Sequence, residues 1–191
     1  GMTSFLVNDT VALDAGWVSA ALSLKEQVKV KDILISHSHL DHTCALPFLI
    51  DNNFSHPGFS LRIYAVKEVI ASMKNHLFNN HTWPDFTCLP NDMTPVLRLI
   101  EITPEQAFNI NGLTFKAVSV THIVPTTGFI VEDKRGTIAF SSDTGPTQRV
   151  PRSHELAPVQ WTSQRLLLHR ISSPHAKLPL HWTSHDVAMS H

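Results

Sequence analysis

His37-Ser38-His39-Leu40-Asp41-His42 puts three imidazoles and a carboxylate into six consecutive residues. The segment follows directly on Asp32-Ile33-Leu34-Ile35-Ser36, a short apolar run rich in branched side chains that reads as a buried strand. In an extended or looping chain alternate side chains share a face, so His37 and His39 point the same way. Asp41 and His42 then turn toward a second position. Such a set suits two metal ions a few ångströms apart with a water between them. Nitrogen and oxygen donors of this kind fit zinc, with manganese and iron as alternatives. The bland reading is a polar loop that happens to be rich in histidine. Four ligand-type side chains at this spacing after a strand make it the poorer one.

Two segments further along fit the same site. Thr121-His122 follows a predicted strand over Leu113–Val120, and Ser142-Asp143-Thr144-Gly145 follows one over Thr137–Ser141. Both place a ligand-type residue just past a strand end, where α/β sheets build their sites. Alone, His122 reads as a surface histidine and Asp143 as the start of a Gly-containing turn. Beside the first segment both read as ligands. The candidate metal set is therefore His37, His39, Asp41, His42, His122 and Asp143.

The rest of the chain supplies an α/β frame. Phe5-Leu6-Val7 and Val11-Ala12-Leu13, joined by Asn8-Asp9-Thr10, read as a hairpin. Val18 to Gln27 reads as a short helix, Leu61 to Ala65 as a strand, and Lys67 to Phe78 as an amphipathic helix with Val69, Ile70, Met73 and Leu77 at helical spacing. Thr126–Val131 and Thr137–Ser141 are joined through Asp133-Lys134-Arg135-Gly136, a hairpin turn signal. Strands interleaved with helices predict a layered α/β domain. A length of 191 residues, 42% hydrophobic and 16% charged, suits one globular domain. A formal net charge of -1 gives no general attraction to nucleic acid or an anionic membrane. Two cysteines, Cys44 and Cys88, make no disulfide framework, and neither a signal peptide nor a membrane span is visible. A cytoplasmic location is the expectation.

With these residues in view, the sequence resembles the metallo-β-lactamase superfamily, whose signature is His-x-His-x-Asp-His. It is more closely similar to the class II cyclic-nucleotide phosphodiesterase branch, through His37–His42, Phe78-Asn79-Asn80-His81-Thr82-Trp83-Pro84 and Phe140-Ser141-Ser142-Asp143-Thr144-Gly145-Pro146. The likeness runs from about Thr3 to Gln148. It implies a metallo-β-lactamase-like four-layer αββα sandwich, two mixed sheets between helices, incomplete where the chain departs from the pattern. It also implies two divalent metal ions. His37, His39 and His122 would hold one, Asp41 and His42 the other, with Asp143 bridging. The Phe78–Pro84 block would lie near the site mouth. Asp41 and Asp143 would orient a metal-activated hydroxide, and His81 would contact the leaving group or a phosphate. The implied activity is hydrolysis of a cyclic nucleotide or similar small phosphodiester. The alternatives are hydrolysis of another ester, thioester or lactam on the same fold, or an inactive remnant that keeps the fold.

Two departures shape further expectations. Relatives carry an extra strand ahead of the segment matching Thr3, so one sheet is expected to show an open N-terminal edge, with apolar surface around Phe5 and Val7 through which copies would associate. Relatives also carry a Gly-His-Leu segment late in the chain that supplies the second ion's last imidazole, and none is present here. The reading therefore divides the chain into a core at 2–148 and a divergent tail at 149–191. The tail holds six of the 13 histidines. Trp182-Thr183-Ser184, shifted by one nucleotide, yields Gly-His-Leu with codons such as TGG-ACA-TCT. The tail after about Val150 is thus expected to be a displaced-frame version of a family C-terminus, and the second ion is expected to bind weakly or not at all.

Overall fold

The computed structural model describes residues 2–145 and the backbone of Gln160–Trp161. Two five-stranded sheets form an α/β sandwich. The first holds β1 (Phe5–Leu6), β2 (Val11–Leu13), β3 (Asp32–Leu34), β4 (Leu61–Ala65) and β5 (Leu97–Glu101) in that spatial order. β1 and β2 form the expected antiparallel hairpin, and β2 through β5 run parallel. The chain crosses between these parallel strands through α1 (Val18–Ala21) and α2 (Leu24–Gln27), then α3 (Leu40–Thr43) and α4 (Leu46–Asn53), then α5 (Lys67–His76). Successive right-handed crossovers in one direction put their helices on one face of the sheet. The other face is left to pack on the second sheet.

The second sheet has the order β10-β9-β8-β7-β6 and comprises β6 (Ala107–Ile110), β7 (Leu113–Ser119), β8 (Thr127–Asp133), β9 (Gly136–Phe140) and β10 (Gln160–Trp161). β6 to β9 are antiparallel, and β10 lies parallel to β9. Asn111 and Gly112, at φ 52° and 83°, make the tight β6–β7 turn, a conformation that Gly and Asn tolerate best. Along β7, Leu113, Phe115 and Ala117 are buried and alternate with Thr114 and Lys116, which are not. That alternation aims one face at the core. Phe108 stacks between Tyr64 and Phe115 at 5.9 Å from each, and Phe5 meets Phe140 edge-on at 5.1 Å, so aromatic rings fill the space between the sheets.

Some elements differ from the sequence expectation. Val18–Gln27 is two short helices, because Ser23 and Glu26 form a capping box that restarts the helix. α4, β5 and β6 were not anticipated. Pro47 sits in the first turn of α4, a position where proline is tolerated but which breaks the apolar pattern as read. The N-terminal edge also needs correction. Among the described residues β1 borders the first sheet, but Val7 is only 5% exposed and Phe5 packs on Phe140, so the expected exposed apolar surface at these two residues is not there. The boundary after residue 148 and Trp182-Thr183-Ser184 lie outside the described residues. No helix among the described residues is long and apolar enough to cross a membrane.

At the start of β3 the fold closes a buried ionic cluster. Asp32 is fully buried and accepts from Arg62 Nε at 2.6 Å and Nη2 at 2.8 Å, from the Tyr64 hydroxyl at 3.1 Å and from Asn111 Nδ2 at 3.2 Å. Asn111 belongs to the second sheet, so this carboxylate also ties the two sheets together.

Candidate metal centre

The opposite end of the same strands is built differently. β2 runs into Asp14, and β3 into Ser36 and His37, so both deliver polar residues at the C-terminal edge of a parallel sheet. The second sheet is pinned there by the Thr127 N–H, which donates to the Ser36 carbonyl at 3.0 Å. The loops carrying His122 and Asp143 are joined by the Gly145 N–H, which donates to the Thr121 carbonyl at 2.8 Å.

All six candidate ligands meet at this edge. His37 Nε2 lies 3.0 Å from His39 Nδ1, and His122 Nε2 lies 3.3 Å from the same atom. His42 Nε2 lies 3.5 Å from Asp143 Oδ1 and 3.7 Å from Asp41 Oδ2. His37, His39 and His122 form one triad, and His37, His42 and Asp143 a second; within each, the ligand atoms lie within 4.8 Å of one another. His37 is thus common to both. Asp41 stands at the margin of the second triad with its side chain 45% exposed. His81 belongs to neither triad and is exposed, its backbone N–H held by Asn79 Oδ1 at 3.0 Å. Its neighbour Trp83 packs edge-on against Phe48 at 5.3 Å, and Phe78 is buried in the core.

Behind the second triad lies a relay that the sequence reading missed. Asp14 is fully buried and takes φ 56° at the end of β2. It accepts from the Ser36 N–H at 2.7 Å, the Ser36 hydroxyl at 2.8 Å and His42 Nδ1 at 2.7 Å. With its proton committed to Asp14, the Ser36 oxygen accepts from the Ser142 hydroxyl at 2.8 Å and from His37 Nδ1 at 3.0 Å. This network assigns the tautomers. His37 and His42 each carry a proton on Nδ1 and turn Nε2 toward the cluster. A signal for Asp14 was present, since it is a carboxylate ending the apolar run Val11–Leu13 and preceding Ala15-Gly16.

Gly16 completes the local frame. A Cβ there would fall 1.8 Å from the Asp41 carbonyl oxygen, so only glycine lets the segment after Asp14 lie against α3. The Thr3 N–H donates to that same oxygen at 2.8 Å, and the Ala15 N–H to the His42 carbonyl at 2.7 Å. The backbone of Asp41 and His42 is therefore held from the N-terminal segment, not by α3 alone.

These residues fit metal ions on chemical grounds. His42 Nε2 is buried with no hydrogen-bond partner and faces two carboxylates, Asp143 Oδ1 at 3.5 Å and Asp41 Oδ2 at 3.7 Å. A buried Nε2 facing two carboxylate oxygens marks a place for a positive charge, whether a proton or a metal ion. His42 has its pKa raised, since burial alone would lower it but Asp14, Asp41 and Asp143 together outweigh that. That sign marks a place that favours a cation. His37 goes the other way. Burial, then the neighbouring His42 and His39, push it down to about 3, so it stays a neutral donor at any ordinary pH. Backing of ligand imidazoles by carboxylate and hydroxyl groups is how proteins orient metal ligands.

Comparison with known proteins agrees with this geometry. The family described as the beta-lactamase superfamily domain matches residues 9–182. A 3',5'-cyclic-nucleotide phosphodiesterase of Candida albicans is 39% identical over 57 residues, which is 29% of this chain and 13% of that protein. A probable 3',5'-cyclic-nucleotide phosphodiesterase of Yersinia pestis is 28% identical over 122 residues, 61% of this chain and 34% of that one. The chain therefore matches about a third or less of the length of either relative. Among solved structures, unliganded yeast PDE1 superposes with a TM-score of 0.59 at 20% identity, covering 68% of this chain and 38% of the other, a likeness of fold.

Proposed function

The chain belongs to the beta-lactamase superfamily domain family, typically hydrolases, and from that premise we propose that it is a metal-dependent phosphodiesterase acting on a cyclic nucleotide or similar small phosphodiester. The observation that carries the reading is the pair of triads sharing His37, with a buried, unpartnered His42 Nε2 aimed at Asp143 and Asp41. The names of the Candida albicans and Yersinia pestis relatives favour a phosphodiester over other substrates.

In this reading His37, His39 and His122 hold one divalent ion, zinc by the softness of an all-imidazole set. Asp41, His42 and Asp143 would hold the other. When bound, such ions polarise a phosphoryl oxygen and lower the pKa of water to roughly 7 in favourable sites. The protein's own groups do the rest. Asp143 and Asp41 would orient the attacking water, and the half-exposed Asp41 carboxylate would take its proton. Asp14 keeps the His42 ring facing inward, and Ser36 does the same for His37. The second position has fewer imidazoles than the first, so its ion binds more weakly.

The direct test is zinc titration of the purified chain followed by a panel of cyclic nucleotides, chromogenic phosphodiesters, thioesters and lactams. One tight and one weaker zinc with turnover confined to phosphodiesters supports the reading. Turnover confined to thioesters or lactams moves the chain to another branch of the fold, and no zinc binding removes the mechanism. Association of copies through the β1 edge belongs to the same proposal. A clean monomer in sedimentation at high concentration would count against it.

A further inference from the structure

A cavity of about 650 Å³ adjoins the candidate metal centre and shares His122 with it. It runs along the sheet edge past the C-terminal ends of β4 and β5, bounded below by the turn into α5 and on the other side by the loop after β7. Its apolar wall includes Ile102, Val120 and Val124, and its charged lining includes Lys67 and Glu101. We propose that this cavity receives the nucleoside part of the substrate while the phosphodiester lies over the two triads. The proposal rests on the phosphodiesterase reading and deepens it.

Four observations point to a nucleoside. The volume lies within the range of small-molecule sites and is far larger than a phosphodiester needs by itself. The charged side chains lining it are Lys67, Glu68 and Glu101, one cation against two carboxylates. A further phosphate would be repelled there, and the neutral half of a nucleotide would not. The wall chemistry also separates candidate substrate groups. An acyl chain would call for an apolar lining without rim charges. A heteroaromatic base offers an apolar face to Ile102, Val120 and Val124, together with edge donors and acceptors that match a carboxylate and an ammonium group. The location agrees as well, since open α/β sheets take ligands outside the carboxyl ends of their parallel strands. His122 links the two halves, because a ligand reaching from the His37–His39–His122 triad into the cavity passes along that ring.

Adenosine tests this directly, because it lacks the phosphate that the metal centre would hold. Binding of adenosine to the full-length chain, as purified and after zinc loading, is followed by ligand-observed NMR and calorimetry. The expected result is saturable binding that Val120→Trp, which fills the cavity, and the surface variant Glu101→Ala each weaken by about tenfold or more. The same variants should lower kcat/KM for a cyclic nucleotide relative to bis(p-nitrophenyl) phosphate by a similar factor. If Val120→Trp fails to fold, Glu101→Ala carries the test alone. Hydrolysis of cyclic nucleotides with no adenosine binding would overturn the cavity assignment and leave the phosphodiesterase reading standing. Adenosine binding that the variants do not alter would also overturn it. Adenosine binding weakened by both variants, without hydrolysis of any phosphodiester, would do the reverse, keeping the cavity and removing the reaction.

Discussion

Two buried carboxylates stand at opposite ends of the first sheet, and their surroundings differ in one respect. Asp32 is closed: four donors from Arg62, Tyr64 and Asn111 meet it, and nothing in its cluster is left unpaired. Asp14 is equally buried and accepts three donors, but one of them, His42, passes the demand on to an unpartnered Nε2. A closed polar network stabilises a fold, while one that ends on an orphaned nitrogen in a group of carboxylates is set up to receive something. The difference separates a structural carboxylate from a positioning one with no reference to relatives.

The largest expected effect tests the open end. Asp143→Ala removes the carboxylate of the second triad, proposed as a metal ligand. Zinc content measured by atomic absorption should fall, and hydrolysis should drop by at least about a hundredfold, the upper range that loss of an outer partner alone produces. Unchanged zinc content would refute the role. Asp14→Asn should weaken the second zinc most, by about 10- to 100-fold in calorimetric titration, because His42 loses its anionic backing directly while His37 feels the change only through Ser36. Equal weakening of both ions would mean that Asp14 acts on the fold as a whole. The contrasting substitution is Asp32→Asn, expected to leave zinc affinity alone and lower the unfolding free energy by about 1–3 kcal/mol in urea melts. If Asp32→Asn also stripped zinc, the division between closed and open ends would collapse. Gly16→Ala sharpens it further. The new methyl would press on the Asp41 backbone, so the second zinc should weaken, with a stability loss of about 1–3 kcal/mol typical of overpacking.

The smallest effect concerns pH in the metal-free chain. The folded His37 pKa of about 3 lies below its ordinary value of 6.5. Between those limits the unfolded chain binds a proton that the folded chain refuses, so the His37 contribution to stability declines as pH falls from 6.5 toward 3. His42 runs oppositely: its raised pKa contributes stability that is present below 6.5 and lost as pH rises through the folded value. His37→Gln should therefore lose less stability than the parent between pH 7 and pH 4 in chelator. A steeper acid loss in the variant would contradict the assignment of His37 as a buried neutral group.

The candidate ligands were legible because ligand chemistry is local: a strand followed by His-x-His-x-Asp-His, and His122 and Asp143 just past two other strands. The same holds for β1, β2, β4, β7, β8 and β9, whose short apolar or alternating runs are bounded by turn residues. What escaped was relational. Asp14 looks like an ordinary turn residue until the parallel pairing of β2 with β3 sets it beside Ser36, and then beside His42. Gly16 matters only because α3 packs on it. β6 escaped because Ala107-Phe108-Asn109-Ile110 carries too little pattern to be read without β7 beside it. The Phe78–Pro84 block was visible as a motif, yet its side chains divide between core and solvent, with no member in the metal triads.

The two sheets are consecutive in the chain, the first ending at Glu101 and the second beginning at Ala107, yet the candidate ligands are shared between them. His37, His39, Asp41 and His42 come from the first half and His122 and Asp143 from the second. A chain cut between Ile102 and Gln106 would leave each fragment with an incomplete donor set and one face of the interlocking core. Zinc would then act as a clasp. Fragments covering residues 2–104 and 105–191, produced together, should associate more tightly when zinc is supplied than in chelator.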